Sequence, residues 1–413
     1  MHMQGIVGIV FLLGIGWLVS ENRRTPAWRT ILAGMGLQFL IALLVLKASP
    51  FRTLFLGLNT LVTTLEEATR AGTSFVFGFL GGGPLPYAEL KPGLSFSMAF
   101  QALPMVLVIA ALTALLYYWR ILPKVVQAFS WVLQKSMGIG GALGVASAGC
   151  IFLGMVESPL LIRPYLKQMT RSELFALMVT GLSCIAGTML VIYASLLQRV
   201  IPNALAHILS ASIISAPAAL VVAAVMLPET EPQTMGGEIS GYEANGVMDA
   251  LARGTGDGLK LLLNIVAILI VFVALVKLVN IGLGGLPDVM GLPLTLERLL
   301  GILLAPVVWL IGVPWEDASI AGSLMGVKFV LNEFIAYMQF SELPQDVLGM
   351  KSRLILTYAM CSFANFGSLG ILIGGLGTLC PERRDEIVSM GGKALLGGVL
   401  ASFLTGAVVG VIE

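Results

Sequence analysis

Charge is what this sequence has least of. Only 11% of its 413 residues are Asp, Glu, Lys or Arg, against roughly 25% in an average soluble domain, so most of its surface cannot face water. Net charge is +1 and no run of Lys or Arg interrupts the chain, which argues against a nucleic-acid partner. The two histidines, His2 and His207, stand near no motif. Cys150, Cys184, Cys361 and Cys380 lie in or beside apolar segments and lack the spacing of a disulfide framework. A charged n-region and a clean A-x-A site are both missing around the first apolar block, which is therefore expected to stay as a helix.

What fills the space is apolar. Hydrophobic residues make up 57% of the chain and mean hydropathy is +0.94. They fall in long blocks at 5–19, 31–46, 98–119, 174–197, 204–227, 259–279, 299–313, 354–379 and 394–412. Several exceed the roughly 18 residues that carry a helix across a bilayer. The fold class expected is an all-α polytopic membrane protein, with about eight transmembrane helices plus two re-entrant hairpins in an internal inverted repeat. Positive residues favour cytoplasmic loops, so Arg23, Arg24 and Arg29 place the first connection inside and the N-terminus outside. Arg383, Arg384 and Lys393 mark an inside loop before the last helix, which puts Glu413 outside.

Three stretches are odd as simple spans. Residues 51–83 carry Glu66, Glu67 and Arg70 before Gly81-Gly82-Gly83 and read as an interfacial amphipathic helix. Residues 138–165 open on Gly138, Gly140, Gly141 and Gly144 and then hold Gly154, Glu157 and Pro159. Residues 299–340 are interrupted at Gly312-Val313-Pro314 and then carry Glu316, Asp317, Asn332 and Glu333. A helix broken at membrane depth needs its freed backbone buried or lining a cavity, which a re-entrant hairpin provides. The last two stretches fall in corresponding halves. A shift of 180 residues lays Arg171-Ser172-x-Leu174 on Lys351-Ser352-x-Leu354, and 183–187 on 363–367. Paired interrupted segments of this kind point to a transporter with its site at the repeat interface. The polar stretch 228–242 reads as the linker between halves, with a short amphipathic helix over 243–257.

Ionisable residues inside a membrane are functional candidates, and Glu157 and Glu333 lead. Each suits acceptance of hydrogen bonds from substrate hydroxyls or ring nitrogens. The bland reading is a structural carboxylate paired with an arginine such as Arg163. Asn332, Asn365 and Ser368 come next. Asn365 and Ser368 are three apart on one helical face, in a glycine-rich stretch suited to a polyhydroxylated ligand, although Ser and Asn also bond helix to helix in membranes. Phe363 and Phe366 offer rings for stacking on a base, or simply packing.

Several motifs, in this order, resemble those of the concentrative nucleoside transporter family: GTSFVFG (72–78), ESPLLIRPYL (157–166), IGVPWEDA (311–318), NEFIAYMQF (332–340) and CSFANFGSLGILIGGLG (361–377). The resemblance covers nearly the whole chain. It implies a homotrimer with a scaffold and a moving transport domain, working as an elevator, and two hairpins that meet two partly unwound helices at the nucleoside. It gives Glu333, Asn365 and Ser368 the ribose and sets Glu157 on the base side. Phe363 stands where the family places an aromatic beside the base, and Met189 where it places an apolar contact. The division implied is 1–120 scaffold, 121–227 first transport repeat, 228–292 linker with a scaffold helix, and 293–413 second transport repeat.

The first hairpin departs from the family pattern. Sodium-coupled members read like N-I-F-V-G-Q-T-E, and this chain reads Cys150-Ile-Phe-Leu-Gly-Met-Val-Glu157. Cys150 replaces the sodium-binding Asn, Met155 and Val156 replace the base-reading Gln and Thr, and Cys184 replaces a sodium-binding Ser, with Ser183 adjacent. Sodium wants oxygen and a thiol is soft, so the cation-site candidates left are Cys150, Leu153, Ser183 and Cys184, with the Leu153 carbonyl and Ser183 as the oxygen donors. Coupling to protons is expected over coupling to sodium, with a buried carboxyl as carrier, since burial favours the protonated form. Loss of the amide and hydroxyl at 155 and 156 predicts broader base selectivity. No cofactor is expected.

Two other classes compete. A membrane-embedded enzyme usually needs clustered carboxylates with metal, a nucleophile with its base, or a histidine relay, and the sequence offers none of these. A channel or sensor would carry a continuous polar path, whereas the polar residues here gather in two corresponding places. The expected location is a bacterial inner membrane.

Overall fold

The computed structural model describes residues 2–24, 27–47, 49–87, 95–198, 200–236, 244–287 and 293–413. Among these there is no strand, and the first half of the chain runs through α1 (His2–Leu18), α2 (Trp28–Lys47), α3 (Ser49–Phe77), α4 (Met105–Tyr118), α5 (Ile121–Met137), α6 (Gly141–Phe152), α7 (Glu157–Leu160), α8 (Arg171–Ser183), α9 (Gly187–Leu197) and α10 (Ala204–Met226). The second half adds α11 (Val247–Leu283), α12 (Leu296–Leu310), α13 (Trp315–Val330), α14 (Glu333–Glu342), α15 (Met350–Met360), α16 (Phe366–Leu379) and α17 (Arg384–Ile412). Six described helices are long and apolar enough to cross a membrane, or seven if the bent pair α12–α13 is one span. The chain is a multi-pass membrane protein.

Two runs of elements share one order. An amphipathic helix (α5; α12) precedes a hairpin (α6–α7; α13–α14), then a broken helix (α8–α9; α15–α16), then a long helix (α10; α17). The runs point in opposite directions. α8 begins where Arg171 meets Glu21 at 3.3 Å and Glu386 at 4.0 Å. α15 begins at the other end, where Lys351 Nζ donates to the Gly410 carbonyl at 3.1 Å. The repeat is inverted. Its ends also bear on topology: Glu21 of the first loop bonds Lys393 of α17 at 2.7 Å, and Lys47 pairs with Glu413 at 3.1 Å. The first connection and the start of the last helix therefore share one side.

Local chemistry explains where the helices start. α8 opens on a capping box, in which the Thr170 side chain accepts from Glu173 N and Glu173 accepts from Thr170 N at 3.1 Å each. α14 and α16 both restart behind an asparagine N-cap, Asn332 accepting from Ile335 N and Asn365 from Ser368 N, each at 2.8 Å. The second arm of the second hairpin and the second broken helix thus resume behind an asparagine, without a proline.

Three expectations change. The interruption at Gly312-Val313-Pro314 bends the chain by 118° between α12 and α13, with Gly312 at φ +110, but it is not the hairpin tip. The tip lies at Leu331-Asn332, between α13 and α14. No glycine or proline marks it, and only the asparagine cap signals the restart. The short helix expected over 243–257 is the beginning of the 37-residue α11, Glu243 lying outside the described residues. α11 continues because Gly254 and Gly258 let it lie against α4: a Cβ on Gly254 would meet Ala114 Cβ at 2.7 Å, and one on Gly258 Ala110 Cβ at 2.9 Å. The linker, described to Gly236, is no free loop. Thr234 donates to the buried Glu173 from N (2.9 Å) and Oγ1 (2.6 Å), and Gln233 Nε2 donates to the Gly138 carbonyl at 2.9 Å. It is strapped across the base of the first hairpin. The amphipathic helix expected over 51–83 is formed, as α3 and a following turn of 3₁₀ helix.

Candidate functional site

Glu333 is the first residue of α14 and is 5% exposed. Both carboxylate oxygens are engaged: Tyr193 Oη donates to Oε1 at 2.7 Å and Asn365 Nδ2 donates to Oε2 at 3.0 Å. Tyr193 comes from α9 in the first repeat, and Asn365 caps α16 in the second. The carboxylate therefore sits where two helix N-termini and both repeats meet. A negative charge there is favoured by the exposed N–H groups of the first turn, and burial is compensated by two hydrogen bonds. Because the Asn365 amide is split between duties, its oxygen capping Ser368 N and its nitrogen holding Glu333, its orientation is fixed. Asn332 is the neighbouring cap. Ser368, 8% exposed, lies one turn into α16.

Glu157 begins the four-residue α7 at the tip of the first hairpin and is exposed. The pairing with Arg163 considered from the sequence is not formed, and among the described residues no side chain bonds its carboxylate. Beside it, Met155 is 7% exposed and packs over Gly181, whose Cβ would stand 3.1 Å from its own. Val156 faces Gly375 of α16 and helps line a cavity of about 410 Å³ with Leu160, Ile371, Gly374, Thr378 and Leu379. Met189 is buried in α9 at 5% exposure. Phe363 packs in part against the core, whereas Phe366, the residue after the Asn365 cap, is 64% exposed. Phe366 is the more exposed of the two rings.

The four cation-site candidates do not make a nest of oxygens. Cys150 Sγ donates to Ser158 Oγ at 3.2 Å, and that hydroxyl donates onward to the Ala146 carbonyl at 2.5 Å. Ser183 Oγ donates to the Val179 carbonyl of its own helix at 2.7 Å. Cys184 Sγ reaches the Ser212 carbonyl at 3.9 Å. Cys150 and Cys184 pack in one apolar cluster with Ile151 and Ala216. Leu153, half-buried, closes α6 as its C-cap. The side-chain groups are soft or spent on the protein itself, a poor fit to sodium.

Two polar residues of this region went unsingled in the sequence. Tyr193 lies in an apolar block where a tyrosine reads as packing, and only the fold brings it to Glu333. Lys328 carried a signal, an ammonium inside the apolar run 324–331, of the kind that marks function in membranes. It is completely buried. His207 bonds Tyr358 Oη at 3.1 Å.

Comparison with known proteins finds matches along most of the chain. Residues 207–410 match the family described as Na+ dependent nucleoside transporter C-terminus, residues 7–80 its N-terminus, and residues 99–199 a family described as nucleoside recognition. The chain is 40% identical to the uncharacterized transporter YutK of Bacillus subtilis, over 99% of both chains. It is 35% identical to the nucleoside permease NupC of Helicobacter pylori, over 98% of this chain and 96% of that one. Among solved structures, CNTnw in an inward-facing substrate-bound state is similar with a TM-score of 0.91 at 34% identity, covering 99% of this chain and 98% of that chain.

Proposed function

Because this chain belongs to the family of Na+-dependent, or concentrative, nucleoside transporters, we propose that it imports nucleosides into a bacterial cell across the inner membrane, driven by protons rather than sodium. The observation that carries the substrate reading is the Glu333 carboxylate held between Tyr193 and Asn365 at the repeat interface. Charged and amide groups fixed in this way exchange hydrogen bonds with the vicinal hydroxyls of a ribose, and Ser368 and Asn332 border them. Glu157 lies on the base side. Met155, Val156 and Met189 form an apolar wall, with Phe366 or Phe363 stacked on the base. An apolar wall discriminates weakly, so purine and pyrimidine nucleosides are both accepted.

Proton coupling is supported by the cation-site candidates, whose thiols and serine hydroxyl donate to the protein. Glu157, with no side-chain partner, and Glu333 are the groups able to carry a proton. Paired hairpins and broken helices in inverted repeats are the parts of an elevator, with residues 121–227 and 293–413 moving and residues 1–120 and 228–292 as scaffold. The exposed apolar face of α11, which includes Leu263, Ile270 and Leu278, fits packing between subunits of a trimer or against lipid.

Uptake of radiolabelled uridine and adenosine into proteoliposomes tests this. An inward proton gradient without sodium drives accumulation of both, and a sodium gradient at constant pH adds nothing. Stimulation by sodium alone overturns the coupling, and absence of any nucleoside uptake overturns the substrate.

A further inference from the structure

Among the described residues Lys328 is the least exposed cation, and the proposed transport leaves it unused. Its Nζ donates to Ser362 Oγ at 2.6 Å and to Ser402 Oγ at 3.2 Å, and it stands 4.3 Å from the centre of the Phe329 ring. Ser362 and Ser402 are themselves 2.6 Å apart. Among the described residues no carboxylate is within ion-pair distance of it. Burial opposes a charge on Lys328, and two hydroxyl oxygens and a π face are the partners that work against that cost.

The position matters more than the residue type. Lys328 belongs to α13, the first arm of the second hairpin; Ser362 lies in the break between α15 and α16; Ser402 belongs to α17. The same three elements meet in the first repeat. There, Ser212 of α10 donates to the Ile151 carbonyl of α6 at 3.2 Å, and Cys184, in the break after α8, reaches the Ser212 carbonyl at 3.9 Å. Each hairpin is thus tied to its broken helix and its long helix through one serine of the long helix. In the first repeat the tie is neutral and partly sulfur. In the second it runs through the Nζ of a lysine.

We propose that Lys328 is a tethered cation that pins the second hairpin to α15–α16 and α17, and is thereby a positioning residue for Glu333, five residues further along the same hairpin. A charge-assisted tie is roughly twice as strong as a neutral one, so the two hairpins are held unequally. The second stays closed on its broken helix and presents Glu333 and Asn365 in register, and the first is the looser of the two. This rests on the reading of Glu333 as a nucleoside contact only for its effect on affinity; the unequal tie stands without it.

Amide exchange and nucleoside binding on the purified full-length protein test the inference. In the unmutated protein, segment 325–340 exchanges more slowly than 145–160. In Lys328→Met, exchange over 325–340 accelerates at least tenfold while 145–160 is unchanged, and the dissociation constant for uridine rises at least tenfold. Lys328→Arg keeps the charge and recovers most of both losses. Ser402→Ala, which leaves the lysine in place and removes one oxygen, gives a smaller change in the same segment and serves if Lys328→Met does not fold. Equal loosening of both hairpins, or identical behaviour of the Met and Arg variants, overturns the proposal. Failure of the unmutated protein to bind any nucleoside overturns the substrate reading and leaves the exchange comparison standing.

Discussion

Tyr193 donates a hydrogen bond to Glu333 at 2.7 Å across the boundary between the two inverted repeats. The two residues are 140 positions apart in sequence. The bond means that the polar centre is shared: the first repeat supplies the donor and the second the carboxylate.

Tyr193→Phe removes that donor and leaves the ring, which packs on Tyr337 at 4.9 Å between centroids. A hydrogen bond to a charged group contributes about 1.5–3 kcal/mol, so uridine affinity is expected to fall at least tenfold, with fold stability less affected. Isothermal titration of the variant against uridine measures it. Unchanged affinity would show that Glu333 needs no help from the first repeat.

Asn365 has two duties that substitution can separate. Asn365→Ala loses both the cap on α16 and the bond to Glu333, whereas Asn365→Ser keeps a capping oxygen and loses only the reach to Glu333. Loss of a cap costs about 1 kcal/mol, so the Ala variant is expected to melt about 1 °C lower than the Ser variant, and both are expected to bind nucleoside poorly. Thermal unfolding in detergent, beside a binding assay, resolves the two effects. Equal melting temperatures would refute the capping role.

Glycines in α17 are expected to divide by what lies beside them. A Cβ on Gly410 would stand 2.2 Å from the Ile311 carbonyl oxygen, a backbone atom that cannot swing aside, whereas Gly392 is exposed with nothing within 4 Å. Gly410→Ala should destabilise by about 1–3 kcal/mol through overpacking. Gly392→Ala should stabilise by about 0.5–1 kcal/mol through helix propensity. Opposite shifts in melting temperature are the result to look for, and shifts of one sign would contradict the packing of α17 against the turn after α12.

Glu21 links the first loop to α17 and α8, and the Lys393 ammonium bonded to it, followed by Arg171, holds its carboxyl below the ordinary value of 4.5. Since the folded value lies below the unfolded one, the contribution is present above pH 4.5 and fades as pH falls through the folded value. The difference in melting temperature between the unmutated protein and Glu21→Gln should therefore be largest near neutrality and close in acid. It should also shrink in high salt, because the site is exposed and screened. A gap that grows on acidification would reverse the assignment.

Much of this molecule was legible one residue at a time. Long apolar blocks fix a membrane-spanning chain because burial of a polar backbone in lipid leaves few other choices, and Glu333 and Glu157 stood out because a carboxylate in such a block is expensive. The 180-residue echo carried the paired hairpins. Local signals misled where a strong breaker was not the functional one: Gly312 and Pro314 mark a bend, and the tip carrying Glu333 is marked only by Asn332. The short helix expected after the linker failed for a similar reason, since glycines that look like breaks serve instead to seat α11 on α4.

What the sequence could not determine is who meets whom across the repeats. Tyr193 and Lys328 acquire their partners only when α9 reaches α14 and when α13 crosses the break at Ser362 and the middle of α17. Those meetings depend on helix packing and crossing, which no local pattern encodes. The thiols were legible as departures from a pattern, but that they and Ser183 turn their donors onto protein acceptors is a matter of side-chain direction, decided by the packed interior alone.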